Sequence, residues 1–328
     1  MKKVIIVGGG AAGFFTAINT KEMHPDTEVV ILEKGNNVLQ KVKISGGGRC
    51  NVTHACFTPK ELTEFYPRGK KELLGPFHKF MTGDTFEWFE SRGVPLKIES
   101  DNRVFPEANT SQAIIECFQK SVEKLGISVL KNHGVNSIFR DKKEWVVKTK
   151  SASFKADYVV MAAGSSKIIW DLCKTLHHKI IAPVPSLFTF NIKDERLTNL
   201  MGVTVPNANV QILDTKLNSS GPLLITHWGI SGPAVLKLSA FGAITLAEKK
   251  YNYKVVINWL NKSSKEVLET LQIQKKKNPK KAITLKSPFS EISKRLWEKL
   301  VLFSKINEKQ NWADISKKQL QELTDQLT

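Results

Sequence analysis

Lys3-Val-Ile-Ile-Val-Gly-Gly-Gly-Ala-Ala-Gly13, followed by Val29-Val-Ile-Leu-Glu33, is the stretch that decides the fold. The β-branched run at residues 4–7 predicts a strand buried on both faces of a parallel sheet. Helical spacing of apolar residues follows the glycines and continues until Pro25. A second apolar run then predicts a second strand, so the segment has the β-α-β order of a Rossmann-like fold.

The three glycines Gly8, Gly10 and Gly13 have the G-x-G-x-x-G spacing of a dinucleotide-binding turn. Their usual tasks are a tight turn, close backbone approach to a pyrophosphate, and close packing of helix on strand. The helix N-terminus would offer free N–H groups to the phosphates, and Glu33 would accept from the ribose hydroxyls. The strand, the helix and the acid make this pattern more specific than the glycines alone. The alternative is a glycine-rich turn that binds nothing.

The whole chain has 328 residues, 49 Lys and Arg against 31 Asp and Glu, and a net charge of +18. This length suffices for two domains. No apolar stretch reaches the ~20 residues that cross a bilayer. Two lysines before an apolar run resemble a signal peptide, but its cleavage would destroy the glycine fingerprint, so we expect a cytoplasmic protein. Four cysteines without a C-x-x-C pair predict neither a metal site nor a disulfide framework.

The pattern of segments predicts two domains, a Rossmann-like domain with the dinucleotide-binding turn at 1–185 and a second domain at 186–328. The first would combine a parallel sheet with a β-meander at 127–161, after a glycine-rich loop at 35–55 and a helical stretch at 59–93. The second would be β-rich over 186–260 and helical over 261–328. Residues 275–281, with five lysines, predict a solvated linker between helices.

A second glycine-rich segment, Lys41-Val-Lys-Ile-Ser-Gly-Gly-Gly-Arg-Cys-Asn-Val-Thr53, carries more chemistry. Three consecutive glycines let the backbone pass close to a flat ligand or a phosphate. Lys41 and Arg49 would add positive charge beside a pyrophosphate, and Ser45 and Asn51 would supply hydrogen bonds. A flexible surface loop is the alternative.

A third segment, Thr226-His-Trp-Gly-Ile-Ser-Gly-Pro233, predicts a turn between a strand and a helix. A histidine on such a turn could act on a substrate near neutral pH. His227 is therefore the best single candidate for a catalytic group, and Arg49 and Ser231 are candidates for substrate binding. A lone histidine is more often structural.

In this order, these segments resemble a bacterial flavoprotein family, the YhiN-like or BaiN-like flavoproteins, often described as the aminoacetone-oxidase family. Arg103-Val-Phe-Pro106, Ala162-Ala-Gly164 and the segment 183–190 add to the resemblance. It implies a FAD-dependent oxidoreductase that transfers hydride between flavin and a small organic substrate or NAD(P)H. It also implies that residues 1–185 form a FAD-binding domain, which is interrupted by an inserted substrate or cap domain at 186–328.

The resemblance implies a set of sixteen cofactor-binding residues. The glycine turn would face the pyrophosphate, Glu33 the ribose, and the backbone at Val135 the adenine. The full set is Gly8, Gly10, Ala12, Gly13, Glu33, Lys34, Lys41, Ser45, Gly47, Gly48, Arg49, Cys50, Asn51, Val135, Ala163 and Gly164.

Members of this family continue with a segment that returns to the FAD domain and carries a Gly-Gly-Tyr-Asn-type helix start. That motif does not occur among residues 1–328. The resemblance therefore predicts a site without this closing segment, or a fragment unable to bind flavin.

Two other classes of function stay open. Cys50 and Cys56 could form the dithiol of a flavin disulfide reductase, although five residues separate them instead of four. A non-enzymatic role as a nucleic-acid-binding protein would explain 17 basic against 8 acidic residues beyond residue 249. A surface of solvated helices explains those lysines more simply, because no aromatic residues interleave them.

Overall fold

The computed structural model describes residues 1–328 and divides into unit 1 (Met1–Ile181) and unit 2 (Ala182–Thr328). In unit 1 the strands are β1 (Lys3–Val7), β2 (Glu28–Leu32), β3 (Thr53–His54), β4 (Leu96–Ile98), β5 (Arg103–Pro106), β6 (Ser128–Leu130), β7 (Val135–Asp141), β8 (Glu144–Thr149), β9 (Ser153–Ala156) and β10 (Tyr158–Met161). Its helices are α1 (Ala11–Met23), α2 (Gln40–Ile44), α3 (Pro59–Thr63), α4 (Lys70–Phe77), α5 (Thr82–Glu90), α6 (Ser111–Lys124) and α7 (Lys167–Thr175).

The centre of unit 1 is a parallel sheet with the strand order β10-β1-β2-β6. Alternate residues of β1 point to opposite faces. Ile6 packs with Phe14 and Ile18 of α1 in one buried cluster, whereas Ile5 and Val7 belong to a second cluster with the β7–β9 sheet. The sheet is thus covered on both faces, which explains why β1 and β2 are apolar throughout. The predicted β-α-β unit and Rossmann-like fold class are confirmed.

The predicted meander at 127–161 is partly wrong. Only β7, β8 and β9 form the antiparallel meander, whereas β6 pairs with β2 and β10 pairs with β1 in the parallel sheet. Both strands are short, and their pairing follows from crossover connections that local sequence does not encode. The loop predicted at 35–55 also contains α2, and the helical stretch at 59–93 consists of three helices, α3 to α5.

Unit 2 combines one antiparallel sheet with helices. Its strands are β11 (Phe190–Asn191), β12 (Thr204–Ile212), β13 (Asn218–Thr226), β14 (Gly229–Ser231) and β15 (Val255–Asn258), in the order β11-β14-β13-β12-β15. Its helices are α8 (Pro233–Phe241), α9 (Ala243–Glu248), α10 (Ser264–Lys277), α11 (Lys294–Phe303) and α12 (Lys317–Leu327). Short 3-10 turns lie at Ser45–Gly48, Glu195–Leu197, Ile283–Leu285 and Trp312–Asp314.

Two predictions for unit 2 need correction. The span 186–260 is not purely β-rich: α8 begins at Pro233, where the turn predicted a helix, and α9 lies within the span as well. The predicted linker at 275–281 is helical up to Lys277, because α10 starts at a Ser263–Glu266 capping box and continues through its lysines. The helices predicted over 261–328 are otherwise present. None of the twelve helices combines the length and apolar character that a bilayer crossing requires.

The core of unit 2 is built round Trp297 and Trp312. Both side chains are almost completely buried, their rings stack at 6.4 Å, and the Trp297 indole N–H donates to the carbonyl of Ile283 at 2.7 Å. The buried indole therefore has the partner that its polar atom needs.

Candidate functional site

The turn between β1 and α1 leaves a helix N-terminus open. Gly10 is the N-cap of α1, no side chain caps the helix, and its first turn contains no acidic residue. Ala11 and Ala12, at the start of the helix, are exposed. Their N–H groups have no intrahelical acceptor, so this end of α1 presents unpaired donors and positive dipole charge to an anion.

Gly13 allows α1 to pack closely against the glycine turn. A Cβ built on Gly13 would lie 2.0 Å from the carbonyl oxygen of Gly8, so any side chain would push α1 away from the turn. Around a Cβ built on Gly10, by contrast, nothing lies within 4 Å. The third glycine thus allows the helix to approach, and Gly10 faces open space.

Glu33 connects the glycine turn to the next loop. Its two carboxylate oxygens accept from the backbone N–H of Gly9 and of Gly35, each at 2.8 Å. A carboxylate has about four lone-pair positions. Glu33 therefore orders the turn and keeps capacity to accept from a ribose hydroxyl.

Lys41 brings a positive charge to the carboxyl end of the sheet. Its ammonium donates to the hydroxyl of Ser165 at 2.7 Å and lies beside Gly164, just after β10. Two segments 124 residues apart in sequence thus form one wall, as ligand sites at the ends of parallel strands usually do.

The glycine loop after α2 is tightly folded. Gly46 has a φ of +56°, and a Cβ there would lie 2.7 Å from the backbone nitrogen of Asn51 and 2.9 Å from the Phe105 ring. Both the dihedral angle and the space favour glycine. The backbone N–H of Val52 donates to the carbonyl of Val104 at 2.8 Å, which fixes the loop against β5.

Arg49 points elsewhere. Its guanidinium pairs with Glu99 at 2.6 Å, donates to Asn109 at 3.3 Å, and stacks 3.9 Å above the ring of Phe105. In this arrangement Arg49 fixes the loop to the strands behind it. The sequence pattern could not reveal this, since the partners are 50 and 60 residues away.

Cys50 lies at the edge of the same loop and is buried. Burial raises the pKa of its thiol, against a smaller lowering by the hydrogen bond with Ser45. A neutral thiol is a poor nucleophile. The Sγ of Cys56, also buried, contacts the carbonyl of Thr58 at 3.8 Å. These surroundings do not favour a reactive dithiol.

These features surround one cavity of about 1660 Å³, whose lining residues all belong to unit 1. Three lysines, Lys34, Lys41 and Lys150, and one acid, Glu33, are its charged residues. The cavity is therefore positive overall, as a site for a diphosphate should be.

Most of the predicted cofactor-binding residues line this cavity. Twelve of the sixteen do so, and Gly13, Gly47, Gly48 and Arg49 do not. The twelve are Gly8, Gly10, Ala12, Glu33, Lys34, Lys41, Ser45, Cys50, Asn51, Val135, Ala163 and Gly164.

Sequence reasoning missed other parts of the lining. Lys150, at the end of the β8 hairpin, carries no local motif. Phe15, Phe80 and Trp88 form an aromatic wall, and the buried Trp88 indole nitrogen has no hydrogen-bond partner. The sequence predicted a helical stretch at 59–93 and gave no signal for a cavity there.

His227 and Ser231 belong to unit 2. His227 is exposed on the turn between β13 and β14, with its ring 3.9 Å from that of Trp228. Ser231 ends β14 and is half-buried. Neither is among the residues that line the cavity of unit 1.

Two family profiles match this chain. Residues 2–248 match the HI0933-like protein Rossmann domain, and residues 184–328 match the HI0933-like protein barrel and H2TH domain. Together they account for nearly every residue.

Curated relatives are about one quarter identical. A 3-dehydro-bile acid delta(4,6)-reductase of Clostridium scindens is 26% identical over 79% of this chain and 65% of its own length. A ribosomal RNA dihydrouridine synthase of Haemophilus influenzae is 26% identical over 86% of this chain and 73% of its own. The protein of the same name in Escherichia coli is 25% identical, with coverages of 72% and 60%. The chain thus spans about two thirds of the length of these relatives.

Several solved structures resemble part of this chain. Thermovibrio ammonificans THI4 is 13% identical with a TM-score of 0.39, covering 56% of this chain and 66% of its own. The bacillithiol disulfide reductase of Staphylococcus aureus is 18% identical with a TM-score of 0.28, covering 50% and 39%.

Proposed function

Because the chain belongs to the HI0933-like family, we propose that it is a flavin-dependent oxidoreductase whose unit 1 cavity binds FAD. This family is the YhiN-like and BaiN-like group that the sequence motifs resemble. The single observation that carries the proposal is the uncapped N-terminus of α1, which opens into a large cavity with a net positive lining.

The size and chemistry of the cavity fit FAD. Its volume of about 1660 Å³ exceeds the ~300–1,000 Å³ of sites for drug-sized ligands, as a dinucleotide needs. The lack of any atom within 4 Å of a Cβ on Gly10 leaves room for phosphate oxygens against the backbone. The lysines supply charge, and Glu33 supplies the only acceptor with a negative charge.

Each part of FAD has residues suited to hold it. The N–H groups from Gly10 to Ala12 would bind the pyrophosphate, with Lys41 neutralising its charge. Glu33 would accept from the adenosine ribose, and the segment at Val135 would hold the adenine. The remaining wall, formed by the loop from Ser45 to Asn51, would hold the flavin ring. When bound, FAD supplies the hydride chemistry, while the protein binds, orients and tunes it.

We infer the class of reaction from the names of the relatives. One is named a reductase and two are named dihydrouridine synthases. Both names describe the addition of hydrogen to a substrate. We therefore propose that this chain uses hydride from flavin to reduce an organic substrate, with electrons supplied by NAD(P)H or by another organic donor.

Two residues of unit 2, outside the cavity, carry further proposed roles. His227 stays a candidate for handling a proton on the substrate, and Ser231 for contacting the substrate. If His227→Ala leaves unchanged the rate at which the organic substrate reoxidises the reduced flavin, that role is wrong. Arg49 is better described as a residue that positions the glycine loop, because its guanidinium is paired with Glu99.

The proposal is tested by the absorbance of the purified chain after incubation with FAD and gel filtration. Bands near ~375 and ~450 nm that stay with the protein are expected for bound oxidised flavin. A matched variant, Gly10→Ala, should fold normally and retain less flavin, because its methyl group takes space in the cavity. A folded wild-type chain that retains no flavin would contradict the proposal.

A further inference from the structure

The lysines of unit 2 are concentrated in one place. Unit 2 has 22 Lys and Arg against 12 Asp and Glu, a net charge of +10. Seven lysines in two short segments, with Asp314 as the one acid among them, account for six of those charges. We call them the lysine groove: Lys275, Lys276, Lys277, Lys280, Lys281, Lys317 and Lys318.

The fold brings the two segments side by side. The backbone N–H of Trp312 donates to the carbonyl of Lys281 at 3.0 Å, and that of Ala313 donates to Pro279 at 2.9 Å. The Lys275 ammonium donates to the carbonyl of Ile315 at 2.7 Å, which joins the end of α10 to the start of α12. Between them lies a groove of about 490 Å³, lined in part by Lys275, Lys276 and Lys317.

The lysines of the groove have no ion-pair partners, and most of them are exposed. Six of the seven lysines are exposed, and none of the seven forms an ion pair. Elsewhere in unit 2, by contrast, Lys262, Lys294 and Lys305 each pair with a glutamate. Lys317 and Lys318 lie in the first turn of α12, where the helix dipole disfavours cations. Seven cations in two adjacent segments, with only one acid among them, indicate a site for a polyanion.

We propose that the lysine groove binds the phosphate backbone of RNA. Lysines act as point charges toward phosphates, and several in a row match the repeated charges of a nucleic acid. The aromatic residue beside the groove, Trp312, is buried, so no ring is available to stack on bases. The groove therefore positions an RNA without reading its sequence. If this RNA is also the substrate of the flavin site, that part of the inference rests on the proposed function. The binding of RNA by the lysine groove does not depend on it.

Binding of single-stranded poly(U) RNA at several salt concentrations tests the proposal. The variant Lys276→Gln/Lys280→Gln/Lys317→Gln is compared with Lys216→Gln/Lys250→Gln/Lys254→Gln, which removes the same charge from exposed lysines elsewhere in unit 2. We expect about tenfold weaker binding for the groove variant. The slope of log K against log salt should also fall by about 2, at ~0.7 per lost phosphate contact. The control should stay close to wild type.

Equal weakening in both variants would overturn the proposal, because the attraction would then be general. The proposal would also be overturned if the groove variant lost binding to vesicles containing phosphatidylglycerol but kept its binding to RNA. If the groove variant fails to fold, acetylation of wild-type lysines decides the matter. RNA should protect Lys276, Lys280 and Lys317, and should leave Lys216, Lys250 and Lys254 reactive. Flavin absorbance is recorded on the same samples to keep the two proposals separate. RNA binding by a chain that holds no flavin would contradict the proposed flavin function and leave the lysine groove proposal intact.

Discussion

Unit 1 and unit 2 use their interiors differently. Unit 1 divides its core between the two faces of a parallel sheet and keeps a cavity of about 1660 Å³ at the ends of the strands. Unit 2 gathers its buried residues into one continuous cluster round two tryptophans, and its groove of about 490 Å³ is bounded by charged side chains. We therefore place the proposed cofactor site in unit 1. Unit 2 offers a basic surface groove.

The largest expected effect is on the core of unit 2. Trp297→Ala would remove a fully buried ring and leave its space empty. We expect the free energy of unfolding to fall by about 3–5 kcal/mol, as for other buried aromatic residues. Chemical denaturation measures it. Trp228→Ala, at a side chain 49% exposed, is the matched control and should change it much less. Similar losses in both would contradict the described core.

The second effect separates packing from binding in unit 1. Gly13→Ala forces a methyl group into the 2.0 Å space before the Gly8 carbonyl. Overpacking of this kind costs about 1–3 kcal/mol of stability, and flavin binding should be lost as the turn moves. Gly10→Ala should lower flavin affinity with little change in unfolding. The assignment of Gly13 to packing and of Gly10 to binding would be wrong if Gly10→Ala destabilised the chain more than Gly13→Ala.

A smaller effect is expected at Lys41. Lys41→Gln removes the charge beside Gly164 and should weaken FAD binding about tenfold, or ~1.4 kcal/mol. A fluorescence titration with FAD measures it. Lys43→Gln, two residues away, exposed and outside the cavity, should bind FAD like the wild type. Equal losses would mean that only the overall charge matters.

The smallest effect concerns Cys50. Burial raises the pKa of its thiol in the folded chain above the unfolded value. The stabilisation from the neutral thiol is therefore complete below the unfolded pKa, and it is lost as the pH rises through the folded one. From pH ~8 to ~10, the wild type should lose more unfolding free energy than Cys50→Ala. The same variant should still transfer electrons from reduced flavin to the organic substrate, and loss of that transfer would favour the dithiol alternative.

The sequence predicted the elements whose structure depends on residues that are close together in the chain. β1, α1 and β2 follow from apolar runs and three glycines within one short segment. The strands β6 and β10 could not be placed, because their partners are chosen by crossovers. Arg49 seemed a ligand, since its partner Glu99 lies far along the chain. The lysine groove likewise appears only when α10 and α12 are packed together.

The central claim is that the open N-terminus of α1 binds the pyrophosphate of FAD. The most direct measurement is the affinity of the purified chain for FAD compared with riboflavin, which carries the same flavin ring without the diphosphate and adenosine. The account predicts that FAD binds much more tightly, and that Gly10→Ala reduces this advantage. Equal affinities for the two ligands would contradict it.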